Sequence, residues 1–288
     1  MTTMNLKEIK QRIHSVKSTQ KITSAMKLVA AAKLRRTQAS IESLRPYERK
    51  LKYMLSSFLG NMSVDSAFTV SRELKKVVVV PVSSNTTFCG AFNSNVIRLA
   101  KNVVEEYRSV GVEVEVMPVG KKMHEAFRKQ QANIVDTLLQ QAGNPSYADV
   151  ATVAKELLRR FYVGEIDKIE LVYTHFVSAG KLVPVRETLL PFDISTYASE
   201  NIHHSIDYIV EPGKDELLQN LIPKVVIMCF YAALLDSSAA EHAARMVAMQ
   251  VATENADELI SELTLEYNKC RQQAITNEML DIISGSLS

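Results

Sequence analysis

The sequence predicts an α/β protein in which a long helix at each end encloses an inserted sheet domain. Two observations at the ends and one in the middle predict it. The stretch Leu235 to Ile283 holds one unbroken heptad register, and the first sixty or so residues are helical and strongly basic. Between them, β-branched runs alternate with helical periods. The domains expected are residues 1–62, 75–200 and 212–288, the last pairing with the first as an antiparallel coiled coil.

Residues 4–62 read as helix. Ile9, Ile13 and Val16 step by four and three, as do Ile22, Met26 and Val29; Leu44, Tyr47, Leu51, Met54 and Phe58 continue the pattern. Ala30, Ala31 and Ala32 leave a thin stretch where another helix fits closely. Pro46 lacks an amide donor and predicts a kink, or the end of a first segment near Leu44. Gly60 and Asn61 are stop signals, and residues 63–74 read as a linker.

The middle changes character. Val77 to Val82 is a short β-branched run and reads as a buried parallel strand. Asn93 to Tyr107 is an amphipathic helix, Val112 to Val119 a second strand, and Lys121 to Lys129 a helix. Gly143-Asn144-Pro145 marks a turn. Tyr147 to Phe161 is a further helix with Val150, Val153, Ala154, Leu157 and Leu158 on one face. Ile169 to Phe176 and Leu182 to Leu189 are strands joined at Ser178-Ala179-Gly180, a hairpin signal. Strand–helix–strand–helix order implies a Rossmann-like parallel sheet with right-handed crossovers, and the hairpin adds an antiparallel edge. Pro191 to Asn201 is irregular, and Glu211-Pro212-Gly213 closes the insert.

The last helix is expected to start near Asp215 with Pro223 in its early part. Its seam runs Leu235, Ala239, His242, Met246, Met249, Thr253, Ala256, Ile260, Leu263, Tyr267, Cys270, Ala274, Asn277, one position every 3.5 residues on average. As one helix, Leu235 to Ile283 spans roughly 75 Å. The small residues allow close approach of a partner, while His242, Thr253 and Asn277 weaken the interface locally. A long surface helix on an ordinary domain is the plain alternative.

Composition narrows the classes. Nine Gly and eight Pro in 288 residues favour helix, and hydrophobic content of 47% supports a real core. Three scattered Cys argue against a disulfide frame or a zinc site. The most apolar run, Val225 to Leu235, is short of the roughly 20 residues a bilayer span needs. The net charge of +2 hides an asymmetry: residues 1–52 hold thirteen Lys/Arg against three Glu, and Leu235 onward holds three against nine acidic residues. Segments of opposite charge suit pairing with each other. Nucleic acid is the rival partner for the basic segment, but no aromatic precedes Tyr47 to supply a stacking platform.

Chemistry is thin. The loop Ser83-Ser84-Asn85-Thr86-Thr87-Phe88-Cys89-Gly90-Ala91-Phe92-Asn93 stands where related folds hold phosphate, yet matches neither GxGxxG nor the Walker pattern. Cys89, with His124 and His175 in the same domain, has no spacing that fixes a nucleophilic site. His203-His204 are adjacent and point apart, so they do not share a metal. No cofactor is expected. A rod whose length is its function, a coiled-coil scaffold carrying an α/β binding module, and an enzyme built on the insert all remain open on these grounds.

Both termini carry more specific runs. The first is Ile9-Lys10-Gln11-Arg12-Ile13, followed by Ser15-Val16-Lys17-Ser18-Thr19-Gln20-Lys21-Ile22-Thr23-Ser24-Ala25-Met26-Lys27-Leu28-Val29-Ala30-Ala31-Ala32-Lys33-Leu34-Arg35-Arg36. The second is Ala243-Ala244-Arg245-Met246-Val247-Ala248-Met249-Gln250, then Tyr267-Asn268-Lys269, Arg271-Gln272 and Ile275-Thr276-Asn277-Glu278-Met279-Leu280-Asp281-Ile282-Ile283-Ser284-Gly285. These runs, and the order of helix, insert and helix, resemble the γ subunit of F-type ATP synthase of the bacterial type. In the first βα loop this chain has Asn85-Thr86-Thr87-Phe88 where the family carries a charged pair before Cys-Gly, and Ser286 replaces a common Ala.

The resemblance implies a non-catalytic central-stalk rotor that couples transmembrane proton flow to ATP synthesis and hydrolysis. The implied partners are a ring of α and β subunits, the ε subunit and the membrane c-ring. The implied location is peripheral, at the cytoplasmic face of the bacterial inner membrane. Carried over by position, Met26 and Lys27 would face lever loops of β. Arg245, Arg271 and Gln272 would lie near β contacts in the shaft, and Thr276, Glu278 and Asp281 belong to the terminal signature. Tyr208 and Glu211 would sit in the foot that meets ε and the c-ring. The outer surface of such a shaft is expected to be poor in apolar patches.

Overall fold

A computed structural model describes residues 5–59, 67–135, 138, 142–193 and 213–286. Its elements are α1 (Leu6–Leu59), β1 (Lys76–Pro81), α2 (Phe92–Ser109), β2 (Glu113–Val116), α3 (Lys121–Arg128), α4 (Tyr147–Tyr162), β3 (Lys168–Ser178), β4 (Lys181–Leu190) and α5 (Lys214–Ser286). The chain divides into two compact units, one of residues 1–31 with 245–288, the other of residues 32–244. This division crosses both long helices, whereas the sequence reading cut the chain where the helices meet the insert. The reason lies in the second unit, where parts of α1 and α5 share a core with the sheet.

In that second unit the sheet order is β2-β1-β3-β4. β1 pairs in parallel with β2 and β3, and β3 pairs antiparallel with β4. The β-branched run of β1 has no polar alternation because both of its faces are covered. Val77 and Val79 point to Val96, Ala100, Val103 and Val104 of α2 and to Phe127 of α3. Val78 and Val80 point to the other side, where Leu157 and Phe161 of α4, Leu51 and Leu55 of α1, and Ile222, Val226 and Phe230 of α5 pack together. The expected hairpin closes at Ser178 and Lys181 with Ala179-Gly180 as its loop.

Two charged clusters sit inside this unit. On β3, Glu170 is 1% exposed and receives Tyr107 Oη at 2.6 Å and Arg186 Nε at 2.7 Å, with Lys168 Nζ at 2.7 Å. On β2, Glu115 is held by Lys76 Nζ and Arg160 Nη2, both at 2.7 Å. Each carboxylate is paired on at least two sides, as a buried charge must be.

Three expectations need correction. Pro46 neither ends nor splits the first helix, since α1 runs through it. Leu44, Leu51 and Leu55 on the flanking turns join the core, and that packing carries the helix past the missing donor. The segment read as a linker is partly core: Phe68 is buried, its carbonyl accepts the Phe192 amide at 2.7 Å, and Arg72 Nη1 donates to the Phe161 carbonyl at 2.9 Å. The stripe Ile22, Met26, Val29 is not a buried face, because Ile22 is 60% and Val29 56% exposed. Gly60, Asn61 and the pair His203-His204 lie outside the described residues.

Candidate partner interface

The first unit pairs the start of α1 with the end of α5. Burial along α1 follows a strict seven-residue repeat. Ile9, Val16, Thr23 and Ala30 form one row, and Ile13, Gln20, Lys27 and Leu34 form the other, each residue buried or half-buried. Up to Ala31 these belong to the first unit; Leu34 belongs to the second. On α5 the seam read from the sequence is the buried row as far as Ala274: Met249, Ala256 and Leu263 are buried, Met246, Thr253, Ile260, Tyr267, Cys270 and Ala274 half-buried, and only Asn277 at its end is exposed. The heptad spacing keeps both rows turned inward.

Polar rungs cross this seam. Gln20 Nε2 donates to Asp257 Oδ1, the Thr23 and Thr253 hydroxyls lie 2.8 Å apart, and Lys27 Nζ donates to Gln250 Oε1 at 2.8 Å. As positions rise on α1 they fall on α5, so the pair is antiparallel. The opposed charges of the two segments suggested ion pairs. Two of these rungs instead have one charged and one neutral member. The sequence reading missed Gln20, Thr23, Gln250 and Asp257 because it followed apolar residues only. For Thr23 and Gln20 the signal is the exact seven-residue spacing from Ile9 and Ile13.

The residues expected to touch partners fall into three groups. Met26 and Lys27 are half-buried, and Lys27 is turned toward Gln250 rather than outward. Arg245 is half-buried. Arg271, Gln272, Thr276, Glu278 and Asp281 are exposed on the last turns of α5, where Thr276 Oγ1 donates back to the Gln272 carbonyl at 2.9 Å. Tyr208 and Glu211 lie outside the described residues.

The outer surface of this unit is not poor in apolar groups. Leu28 is 66% exposed beside Ile22 and Val29, and Met279, Leu280, Ile282 and Ile283 are exposed near the end of α5. These residues exceed what the seam consumes. Contiguous exposed apolar groups mark surfaces that meet other proteins.

In the second unit the head of α3, which follows β2, is bonded to the turn after β1. The three leading amides of α3 are taken by the protein itself. Lys121 N donates to Asn85 Oδ1 at 2.8 Å, Lys122 N to the Ser84 carbonyl at 3.1 Å, and Met123 N to Ser83 Oγ at 2.8 Å. Asn93, in the first turn of α2, turns back to accept the Ser84 amide at 3.1 Å. Gly120 is required where the chain passes β1: its φ is +94°, and an added Cβ would stand 2.3 Å from the Ser83 carbonyl oxygen.

Cys89 is buried under Phe92 and Ala240, with Asn93 Nδ2 3.2 Å from its sulfur. His175 is drawn elsewhere: its Nδ1 lies 2.5 Å from Asp236 Oδ2, and Asp236 Oδ1 also accepts the Phe176 amide at 3.1 Å. A cleft of about 480 Å³ opens beside this pair, lined among others by Glu42, Arg45, Tyr173, Glu187 and Cys229. Among the described residues no group of three or more His, Cys, Asp or Glu could hold a metal.

Comparison with known proteins fits this arrangement. A family profile described as ATP synthase matches residues 5–288. The ATP synthase gamma chain of Phocaeicola vulgatus is 49% identical over 99% of both chains. The gamma chain of Flavobacterium johnsoniae is 43% identical over 98% of both. Among solved structures, a chain of the Tetrahymena thermophila mitochondrial ATP synthase central stalk and c-ring is 26% identical, with a TM-score of 0.58 over 80% of this chain and 99% of that one. A chain of the Euglena gracilis mitochondrial enzyme shares the fold at 22% identity and a TM-score of 0.68, over 98% of this chain and 93% of that one.

Proposed function

Because this chain belongs to the ATP synthase family as a γ chain, we propose that it is the central-stalk rotor, coupling proton flow across a membrane to ATP synthesis and hydrolysis in a surrounding ring. The observation that carries the reading is the antiparallel pairing of the two chain ends through Gln20–Asp257, Thr23–Thr253 and Lys27–Gln250. Two helices joined along a seam resist bending and twisting better than either alone. An asymmetric rod presents a different face to each of several identical sites. Contacts that differ in free energy between site states then bias those states in turn.

The partners are the α and β subunits around the paired helices, with ε and the c-ring at the foot. Met26, Lys27, Arg245, Arg271, Gln272, Thr276, Glu278 and Asp281 are the ring contacts in this reading, and Tyr208 and Glu211 the foot contacts. The exposure of Arg271, Gln272 and Glu278 supports it. So does the outer row of Ile22, Leu28 and Val29, which gives the ring an apolar surface to lean on. In this reading the chain has no catalytic role of its own, which is supported by the internal bonding of the first amides of α3. It lies at the cytoplasmic face of a bacterial inner membrane, held there through its complex.

Reconstitution tests this. Ring and membrane subunits lacking this chain are expected to lose proton-driven ATP synthesis and to regain it when the chain is added. Coupled synthesis in its absence would overturn the assignment.

A further inference from the structure

Hydrophobic contact is non-directional, so an apolar seam holds two helices together without fixing how one is turned or slid against the other. Hydrogen bonds have direction. In the first unit three such bonds lie close together, between Gln20 and Lys27 on α1 and between Gln250 and Asp257 on α5. We infer that these polar rungs, centred on Thr23 and Thr253, set the register and rotational phase of the paired helices, and so transmit torsion from one helix to the other. The inference rests on the rotor reading for its purpose, though not for its geometry.

Proton counting shows why the Thr pair is a lock. Thr23 Oγ1 reaches the Gln20 carbonyl at 3.0 Å, Thr253 Oγ1 reaches the Met249 carbonyl at 2.8 Å, and the hydroxyls reach each other at 2.8 Å. Each hydroxyl has one proton and can accept two bonds. Three contacts therefore share two protons. If both protons went to the carbonyls, two oxygens would face each other with no proton between them. The favourable arrangements keep one proton in the cross-helix bond, with the other hydroxyl bonded to its own helix. Thr23 is only 9% exposed, so water does not readily replace the lost partner.

Displacement in either direction is penalised. A slip of one heptad would bring Thr23 opposite Met246 or Ile260, and Thr253 opposite Val16 or Ala30, whereas Gln20 would meet Gln250 or Thr264. Both Thr hydroxyls would then face apolar side chains in either direction, which singles out the Thr pair as the register-setting rung. The rows of Ile, Val, Met and Leu would still find apolar partners, so they oppose such a slip much less. A lone polar position fixing register in an apolar seam is a known use of buried polarity. Here the Thr23–Thr253 pair fills that role.

The test uses the full chain with Cys89, Cys229 and Cys270 replaced by Ser, and nitroxide labels on Cys introduced at the exposed positions Lys17 and Glu262. The labelled chain is expected to show one narrow distance distribution. Thr23→Val with Thr253→Val is expected to hold its thermal midpoint and to broaden or split that distribution. Thr23→Ser with Thr253→Ser keeps both hydroxyls and is expected to restore it. In reconstituted complex the Val pair is expected to pump fewer protons per ATP hydrolysed, by about two-fold, and the Ser pair to pump normally. An unchanged narrow distribution in the Val pair overturns the inference, as does equal broadening in the Ser pair. Loss of the rotor reading would show separately, as a wild-type chain that restores no pumping.

Discussion

At the scale of single residues, two carboxylates in the second unit respond to acid in opposite ways. Burial pushes Glu170 up, but Arg186, Lys168 and Tyr107 together hold it below the usual carboxylate range. A group depressed in this way contributes stability above its unfolded pKa, about 4.3 for Glu, and loses it as pH falls through the folded value. Glu170→Gln is therefore expected to cost about 1–3 kcal/mol near pH 7, with the deficit shrinking in acid. Urea titrations at pH 7 and near pH 3 read this directly, and an equal deficit at both would contradict it. Asp236 runs the other way. Burial raises its carboxyl more than His175 and the Phe176 amide lower it. Its ionisation in the folded state is unfavourable, so stability declines as pH rises through and above the ordinary Asp range. Asp236→Asn keeps an acceptor for Phe176 N–H and is expected to gain on the wild type as pH climbs from 4 toward 7, as followed by thermal midpoints.

At the scale of elements, packing decides what propensity leaves open. An interior proline costs a helix about 3 kcal/mol, yet α1 continues through Pro46. Pro46→Ala restores a donor for the Glu42 carbonyl and is expected to raise stability by about 1–3 kcal/mol. A lowered melting temperature would show that the ring of Pro46 has a packing role. The strands, the hairpin at Ala179-Gly180 and the C-terminal seam were legible because their patterns are simple. They are a β-branched run, a short turn signal and a sustained 3.5-residue spacing. The N-terminal seam was legible only in part. Thr23, Gln20 and Lys27 occupy interior positions that apolar counting passes over, while Ile22 and Val29 sit one step outside them. The buried role of Phe68 was hidden because its partner, Phe192, is distant in sequence.

At the scale of the whole molecule, the two units divide the work. The first exposes charged and apolar groups on a polar-locked pair of helices; the second buries its charges within a covered sheet. Substitutions on the exposed end of α5 should therefore separate function from folding. Glu278→Ala and Arg271→Ala are expected to shift the melting temperature of the free chain little, as surface changes generally do, while lowering proton pumping per ATP in the assembled enzyme. A large loss of thermal stability in either variant would mean that the tip of α5 has a folding role. Of the candidate residues, the group on α5 came from the family resemblance and not from periodicity, and the inward turn of Lys27 was not legible at all, since only its bond to Gln250 reveals it. The stitching of α3 to the turn after β1 has an evolutionary corollary. With Asn85, Ser84 and Ser83 already occupying its first amides, the head of α3 keeps its donors engaged whichever side chain stands at the loop's exposed rim, where Phe88 now sits.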